Sequence, residues 1–312
     1  MRKGTFMHIA ITGSTGTIGS ALSNKFFESG HKVKKIRHGN SADVSVQWNP
    51  ELNWIREGLF ENVDTVVHLG GTSLSQGRWS QSHRKSIVDS RINGIRLLVD
   101  ALSRTENKPK TLVTWSAVGF YGVRGDEKLT EESQRGSGFL SDICVEHELL
   151  AEKALELGIR LVIIRSGVVV RSLLGAPLIG QLPYPTALTP FKLGLGGPLG
   201  NGKSFFPWIS LDDLVNIYQQ AVINTDMSGV YNAVAPQEIT NSDFTKALGN
   251  ALRRPAFFPV PSLLLYLMFG KEKAQQTALA SQRVIPQRLV DNGFDFLYPD
   301  IDSALDVMLK SS

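Results

Sequence analysis

The sequence of 312 residues predicts an α/β fold, a doubly wound parallel sheet with a smaller C-terminal lobe. Two observations predict this class. Across the first half, short apolar runs typical of buried strands alternate with longer segments of helical periodicity. In the second half, proline and glycine become frequent after residue 167 and fewer strand patterns follow. We therefore expect a main domain over residues 7–166, to which some later segments return, and a mixed α/β lobe over residues 167–312.

The first strand leads into a glycine-rich turn, around which the main domain is organised. Residues 9–19 read IAITGSTGTIG, and a helical pattern follows them. Glycine allows the unusual dihedrals of such a turn, and the free amides at the start of the helix attract phosphate. A strand-to-helix turn can also carry glycines without any ligand, so the turn alone leaves both interpretations open. As a pyrophosphate site, it would use Gly13, Ser14, Thr15, Gly16, Thr17, Ile18 and Gly19.

The end of the second strand distinguishes between the two nicotinamide dinucleotides. The first helix ends at Gly30, and an apolar pattern over residues 33–36 predicts the strand. An acidic residue at this strand end binds the ribose hydroxyls of NAD, whereas a basic residue pairs with the 2′-phosphate of NADP. The chain has Arg37 and His38 here and no carboxylate before Asp43. The sequence therefore favours NADP(H), with an ordinary solvated Arg37 as the alternative.

The next strands bring small residues to the same edge of the sheet. A short strand is expected over residues 44–48, and a clearer one over residues 63–69 is followed by two glycines. Small residues at the carboxyl end of a parallel strand let a cofactor lie across the sheet edge. The residues expected beside the cofactor are Leu69, Gly70 and Gly71.

A long helix is predicted from about residue 80 to residue 103, because apolar residues recur along it at helical spacing. Arg91 lies beside the apolar stripe, and an arginine in such a position usually extends its charged end to solvent. On periodicity alone, Arg91 is therefore expected at the surface.

A strand over residues 111–115 delivers two hydroxyl groups, Ser116 and Tyr121, to the same sheet edge. Both are candidates for hydrogen bonding to a carbonyl or alcohol of the substrate, and Ser116 is also expected to contact the cofactor. A helix over residues 139–157 and a buried strand over residues 161–164 continue the alternation of the main domain.

The C-terminal lobe begins with a stretch over residues 167–207 that is too rich in proline and glycine for regular secondary structure. A long ordered loop of this kind is often a lid or a wall of the substrate site. Ser210 and Asp213 predict a capping box for the helix that follows. Further expected elements are a strand over residues 230–233 and helices over residues 242–252, 263–269 and 301–309. We expect this lobe to hold the substrate and to close over the cofactor.

Composition argues against several other classes. The net charge of +4 is spread along the chain, which disfavours a nucleic-acid partner, and no apolar run reaches the roughly 18 residues of a membrane span. Cys144 is the only cysteine, so we expect an inert buried thiol and no cysteine-based metal site. The histidines show no metal-ligand spacing, and His147, between Glu146 and Glu148, is expected on a helix surface. We expect a cytoplasmic protein with a small-molecule substrate, whose identity and oligomeric state the sequence leaves open.

Five further segments are more specific than the glycine turn. They are Arg78–Trp79, Ser90–Arg91, SAVGFYG, FKLGLGGPLGNGKSFFPWISLDDLV and VIPQRLVDNGFDF. With them the chain resembles, nearly end to end, the atypical extended short-chain dehydrogenases/reductases of the epimerase family, which are related to nucleoside-diphosphate-sugar epimerases. The resemblance implies a Rossmann-type cofactor domain that binds NADPH, with Arg91 helping to hold the cofactor phosphate.

The chain departs from the usual chemistry of this superfamily. In ordinary members, a tyrosine and a lysine four residues later exchange a proton while hydride moves to or from nicotinamide. Phe139 and Ile143 stand at these positions, and Ala117 stands where sugar epimerases carry a catalytic hydroxyl. The remaining candidates are Tyr121, as proton donor or acceptor, and Ser116, which would assist it.

Two functions follow as expectations. The first is an NADP-dependent oxidoreductase or epimerase that acts on a nucleotide-sugar-like substrate. The second is a non-catalytic NADPH-binding sensor or regulatory protein, which the missing tyrosine–lysine pair favours. Oxidation of NADPH by a substrate, lost on Tyr121→Phe, would distinguish the first function from the second.

Overall fold

The computed structural model describes residues 6–39, 47–74, 78–175 and 186–310. Its strands are β1 (His8–Thr12), β2 (Lys32–Ile36), β3 (Trp48–Asn49), β4 (Trp54–Ile55), β5 (Thr65–His68), β6 (Thr111–Ala117), β7 (Lys128–Leu129), β8 (Arg160–Ser166), β9 (Val168–Val169), β10 (Trp208–Ile209), β11 (Gly229–Ala233) and β12 (Arg283–Val284). Its helices are α1 (Thr17–Glu28), α2 (Gln81–Val88), α3 (Gly94–Arg104), α4 (Phe139–Glu156), α5 (Val170–Gly175), α6 (Thr189–Lys192), α7 (Leu211–Ile223), α8 (Asn241–Leu252), α9 (Ser262–Phe269), α10 (Lys271–Gln276), α11 (Gln287–Asp291) and α12 (Ile301–Lys310). A π-helical turn over Asp89–Asn93 joins α2 to α3, and a 3₁₀ turn over Val118–Tyr121 follows β6.

A parallel sheet of six strands forms the centre of the main domain, in the order β11–β8–β6–β5–β1–β2. The chain runs from β1 outward to β2 and then crosses to β5 on the other side of β1. Because the strand order reverses there, the crevice between the carboxyl ends of β1 and β5 is the topological switch point, where open α/β sheets bind ligands. The predicted doubly wound parallel sheet is confirmed.

Apolar cores cover both faces of this sheet. Ile9 and Ile11 of β1 pack into one core with residues of α1 and α7. Ala10 packs into the other core with residues of α3 and α4. All three side chains are fully buried, as expected for a central strand of a parallel sheet that helices cover on both faces.

The second half of the chain contributes to the main sheet and also forms a core of its own. β11 pairs with β8 at the sheet edge, so this segment returns to the main domain. A third apolar core includes Phe244 and Leu248 of α8 and Leu305 of α12. This core supports the part of the lobe that lies beyond the sheet.

The predicted capping box at the start of α7 forms only in part. Ser210 Oγ accepts a hydrogen bond from the Asp213 backbone amide at 2.9 Å, which confirms Ser210 as the N-cap. The Asp213 carboxylate accepts hydrogen bonds from the amides of Leu297 and Tyr298, at 2.7 and 3.2 Å. The start of α7 therefore also holds the segment that precedes α12.

One expectation about local structure needs correction, and another needs an addition. The stretch over residues 167–207 contains regular elements, including α5 and α6, and α6 accommodates Pro190 because the first turn of a helix tolerates proline. Residues 176–185 of this stretch, and most of the strand predicted over residues 44–48, lie outside the described residues. The helix predicted over residues 80–103 is present as one run of helical backbone over residues 81–104, but it holds a π turn, residues 89–93, between α2 and α3.

Candidate functional site

The glycine turn lies at the switch point and packs against the end of β5. Gly13 has a φ of +67°, and a Cβ atom on it would lie 2.7 Å from the carbonyl carbon of Leu69. A Cβ atom on Gly19 would lie 2.2 Å from the carbonyl oxygen of Gly13. Position 13 therefore requires glycine, because its φ is positive and its backbone lies against Leu69. Position 19 requires glycine because α1 starts directly against the turn.

The start of α1 suits a phosphate group. Its N-cap residue, Gly16, has no side chain to cap the helix, so the first amides keep their donors for an outside acceptor. The Ser14 hydroxyl is buried in the turn and has no hydrogen-bond partner among the described residues. Because a pyrophosphate accepts hydrogen bonds from both kinds of donor, the residues present fit the group that the sequence predicts.

Arg37 and His38 follow β2, and both side chains are exposed. His38 Nε2 lies 2.7 Å from the Glu51 carboxylate. The Arg37 backbone amide is held by Gln47 Oε1 at 2.6 Å, and no carboxylate within the described residues pairs with its guanidinium. Of the two basic side chains, Arg37 is therefore the one whose charge is available for a 2′-phosphate.

The two glycines after β5 let neighbouring side chains pack closely against this edge of the sheet. A Cβ atom on Gly70 would lie 3.1 Å from the ring of Trp48. A Cβ atom on Gly71 would lie 3.3 Å from the guanidinium carbon of Arg91. Larger residues would therefore push either the backbone or these side chains into the crevice.

Arg91 is buried behind this edge and not at the surface where periodicity alone would place it, and the contact with the cofactor phosphate that the resemblance implies stays a prediction. The side chain is 9% exposed, its guanidinium donates to the Thr72 carbonyl at 2.8 Å, and its Cζ lies 5.1 Å from the Trp115 ring centroid. Burial lowers the pKa of Arg91 to about 10. The π turn explains the difference, because its extra residue changes the direction in which Arg91 leaves the helix.

Tyr121 is fully buried, and its hydroxyl makes hydrogen bonds inside the protein. It donates to Asn232 Oδ1 at 2.7 Å and accepts from the Arg165 guanidinium at 3.0 Å. Burial raises the pKa of Tyr121, and the nearby Arg165 charge opposes that increase in part. The hydroxyl is therefore engaged inside the protein in this structure, and proton transfer by Tyr121 stays a prediction.

Ser116 is also buried, and its hydroxyl donates to the Glu148 carboxylate. Glu148 forms a two-point ion pair with Arg165, with Nε–Oε1 and Nη2–Oε2 distances of 2.9 and 2.7 Å. Arg165 also lies over the Phe120 ring, 3.4 Å from its centroid. Ser116 therefore belongs to a buried network that joins β6, α4 and β8, and its contact with the cofactor stays a prediction.

His147 is fully buried, so its expected position on the surface of α4 is wrong. Its Nε2 lies 2.9 Å from Thr114 Oγ1, and its ring stacks on His68 with 5.7 Å between the centroids. Burial lowers the pKa of both rings, to about 3 for His68. Cys144, on the same helix, is buried as expected, and burial raises its pKa to about 11.

The two positions where the resemblance implies the usual tyrosine and lysine carry apolar side chains at the start of α4. The Phe139 ring lies 5.0 Å from the Trp79 ring, and Arg84 lies 4.1 Å from the Phe139 centroid. Ile143 is buried one turn later. Neither Phe139 nor Ile143 can exchange a proton.

The structure adds two basic residues that the sequence did not indicate. Lys273 of α10 is 6% exposed, and its Nζ lies 5.8 Å from the Phe269 ring centroid. His83 of α2 has a buried Nε2 atom without a hydrogen-bond partner among the described residues. Burial, followed by the positive charges of Lys273 and Arg91, lowers the pKa of His83. No sequence signal marks Lys273, because its segment KEKAQQ has the composition of a solvated helix.

Within the described ranges, no helix combines the length and the apolar character needed to cross a membrane. Those ranges also contain no group of three or more His, Cys, Asp or Glu side chains placed to hold a metal ion.

The fold and the glycine turn define an α/β protein with a cradle of the kind that binds dinucleotides. The model of the NAD dependent epimerase/dehydratase family matches residues 9–233, and that of a domain of unknown function matches residues 260–307. The chain therefore belongs to the NAD-dependent epimerase/dehydratase family, which confirms the resemblance to the epimerase family.

Named relatives match the chain over nearly its whole length. The epimerase family protein Mb2239 of Mycobacterium bovis is 37% identical over 298 residues, which cover 95% of this chain and 96% of that protein. The epimerase family protein SDR39U1 of Homo sapiens is 34% identical over 302 residues, which cover 96% of this chain and 98% of that protein. The crystal structure of human SDR39U1 (isoform 2) with NADPH has a TM-score of 0.81 and 29% identity, and the match covers 98% of this chain and 100% of that chain.

Proposed function

We propose that this chain binds NADP(H) at the switch point and acts as an oxidoreductase or epimerase on a polar, nucleotide-sugar-like substrate. The observation that carries the proposal is the glycine turn, which places uncapped helix amides and the buried Ser14 hydroxyl at the crevice between β1 and β5. A relative crystallised with NADPH and the basic side chain of Arg37 support NADP(H) over NAD(H).

When bound, NADPH supplies a hydride. The chain's own part is to bind and orient: the amides of α1 hold the pyrophosphate, Arg37 pairs with the 2′-phosphate, and Gly70 and Gly71 let the dinucleotide lie across the sheet edge. The proton follows a different route from that of ordinary superfamily members, because Phe139 and Ile143 carry no exchangeable proton.

A non-catalytic NADPH-binding regulatory protein is the second candidate. It is favoured by the apolar residues Phe139 and Ile143 and by the buried, hydrogen-bonded hydroxyl of Tyr121. Stoichiometric oxidation of NADPH by any member of a panel of nucleotide sugars and other polar carbonyl compounds supports the enzyme. Tight NADPH binding without turnover across that panel supports the regulatory protein.

The variant Arg37→Ala tests the cofactor site. We expect its affinity for NADPH to fall about tenfold or more, because a hydrogen bond to a charged group contributes roughly 1.5–3 kcal/mol, while its affinity for NADH stays the same. Calorimetric titration of the full chain with each dinucleotide measures both affinities.

Lys32→Ala is the matched control, since it removes the same charge from the other end of β2, about 16 Å away. Its NADPH affinity should equal that of the original chain. Equal affinities of the original chain for NADPH and NADH would contradict the preference for NADP(H). Unchanged NADPH affinity in the double variant of Arg37→Ala and His38→Ala would contradict the assigned position of the 2′-phosphate.

A further inference from the structure

Three basic residues, Arg91, His83 and Lys273, come from helical segments that pack beside the start of α4. We propose that they form an anion subsite that binds the carboxylate or phosphate group of the substrate. The proposal rests on the proposed function, because it assigns a chemical class of substrate to the same site.

Contacts between α2 and α10 bring two of the three side chains together. Arg84 of α2 forms an ion pair with Glu272 of α10. His83 directly precedes Arg84, and Lys273 directly follows Glu272. The ion pair thus holds the helix that carries His83 against the helix that carries Lys273, and the charge of Lys273 acts on the His83 ring.

Arg91 reaches the same place from the π turn. It follows His83 by two helical turns, and the carbonyl of Ile87, which lies between them, is 3.5 Å from the Arg91 guanidinium. The Arg91 charge also acts on His83. The guanidinium lies directly behind Gly71, so the subsite borders the sheet edge across which the dinucleotide would lie.

α10 also covers the start of α4. Gln276 Oε1 accepts a hydrogen bond from the Leu140 amide at 3.0 Å, and a Cβ atom on Gly138 would lie 3.0 Å from the same oxygen. The subsite therefore lies beside Phe139, where other superfamily members place the proton-transferring tyrosine. This position suits the polar end of a substrate whose reacting carbon faces the dinucleotide.

Two buried nitrogen atoms at this place have no hydrogen-bond partner among the described residues, His83 Nε2 and Trp79 Nε1. Buried polar atoms nearly always have a partner, and an indole N–H can only donate. Trp79 packs on Phe139, so its donor lies near the start of α4. A carboxylate or phosphate oxygen is an acceptor that such donors fit.

Four carboxylates on the surrounding elements are paired with other cations. These pairs are Lys85–Asp89, Arg84–Glu272, Arg135–Asp142 and Arg165–Glu148. The Arg91 guanidinium donates to backbone carbonyl oxygens, and no carboxylate in the described part of the chain pairs with it. Because a buried guanidinium is costly without a counter-charge, a bound anion beside Arg91 would stabilise it.

Anion binding is tested on the full chain through the ring resonances of His83, which the variant His83→Asn assigns. Inorganic phosphate and acetate are titrated separately in the presence of saturating NADPH, so that phosphate does not compete at the cofactor cradle. We expect at least one probe to bind saturably and to raise the pKa of His83, because an anion offsets the charges of Lys273 and Arg91. A response to phosphate alone supports a phosphorylated substrate, and a response to acetate alone supports a carboxylate.

Lys273→Met should lower the affinity for that probe about tenfold or more, whereas Lys271→Met, an exposed lysine two residues earlier on α10, should leave it unchanged. If Lys273→Met does not fold, Lys273→Gln provides the same comparison. The proposal is overturned if neither probe shifts the His83 resonances, or if the folded Lys273 variant binds the probe as tightly as the original chain. NADPH binding is measured in a separate titration. A chain that binds the probe but does not bind NADPH would refute the proposed function and leave the subsite standing.

Discussion

The contacts of Arg165 determine the environment of the side chains around it. Its guanidinium pairs with Glu148, donates to the Tyr121 hydroxyl and covers the Phe120 ring, all within the protein interior. These contacts remove Tyr121 and Ser116 from solvent, although both follow or end a strand at the edge where catalytic hydroxyls usually lie. Both hydroxyls therefore take part in a buried hydrogen-bond network that joins β6, β8, α4 and β11.

Glu148→Ala is expected to lower the free energy of unfolding by about 3–5 kcal/mol, because it leaves Arg165 as a buried charge without its carboxylate. Urea denaturation measures the change. Glu146→Ala is the matched control on the same helix, since the Glu146 side chain is 55% exposed and lies 3.8 Å from Arg96. We expect a loss of about 1 kcal/mol or less there, and a similarly small loss for Glu148→Ala would contradict the assigned network.

At the scale of single elements, the glycine turn depends on close packing as much as on unusual dihedrals. Gly13 and Gly19 bring the start of α1 within van der Waals distance of the turn and of the residue after β5. Gly16 is different, because its φ of −73° suits any residue and a Cβ atom on it would lie 3.4 Å from the Gly13 oxygen. The three glycines of the turn therefore tolerate substitution unequally.

Gly19→Ala is expected to lower the free energy of unfolding by about 3 kcal/mol, because the new methyl group overlaps a backbone oxygen that cannot move aside alone. Gly16→Ala should cost no more than about 1 kcal/mol, the usual difference at an N-cap. Denaturation midpoints of the two variants provide the test. Equal stability would show that α1 is free to shift away from the turn.

The elements that the sequence predicts best are those set by local pattern. The glycine turn and the strands of the main sheet depend on residues within one segment, which explains why their positions follow from apolar runs and turn residues. The burial of Arg91 depends on one additional residue in a helical turn, which leaves no mark in the periodicity. The burial of His147 depends on Thr114 and His68 from distant strands. Lys273 is placed by contacts of α10 with α2 and α4, which no local pattern shows.

At the scale of the whole molecule, the C-terminal segment is tied back to the main domain at several points. Gln282 donates to the carbonyls of Val118 and Gly122, at 2.9 and 2.8 Å. Farther along, the Asp213 carboxylate holds the amides of Leu297 and Tyr298. Gln282 therefore joins the segment after α10 to the residues that follow β6, and Asp213 joins it to α7, which packs on the main sheet.

Asp213→Ala is expected to lower the free energy of unfolding by about 3 kcal/mol, because it removes the buried charged acceptor of two backbone amides. Limited proteolysis should also cut faster between residues 293 and 300, since the segment loses its anchor. Asp212→Ala, an exposed neighbour on the same helical turn, should change neither measurement. An unchanged cleavage rate in Asp213→Ala would show that other contacts suffice to hold the segment.

The π turn between α2 and α3 makes the spacing of residues in this region informative in itself. A π turn holds one residue more than the α turn it replaces, so deleting one residue would rotate α2 relative to α3 by about 100°. In a chain with this one-residue deletion, either His83 or the apolar face of α3 would turn away from its present neighbours. Among relatives, the number of residues between the counterparts of His83 and Leu97 should therefore separate chains that retain the anion subsite from chains that have lost it or never acquired it.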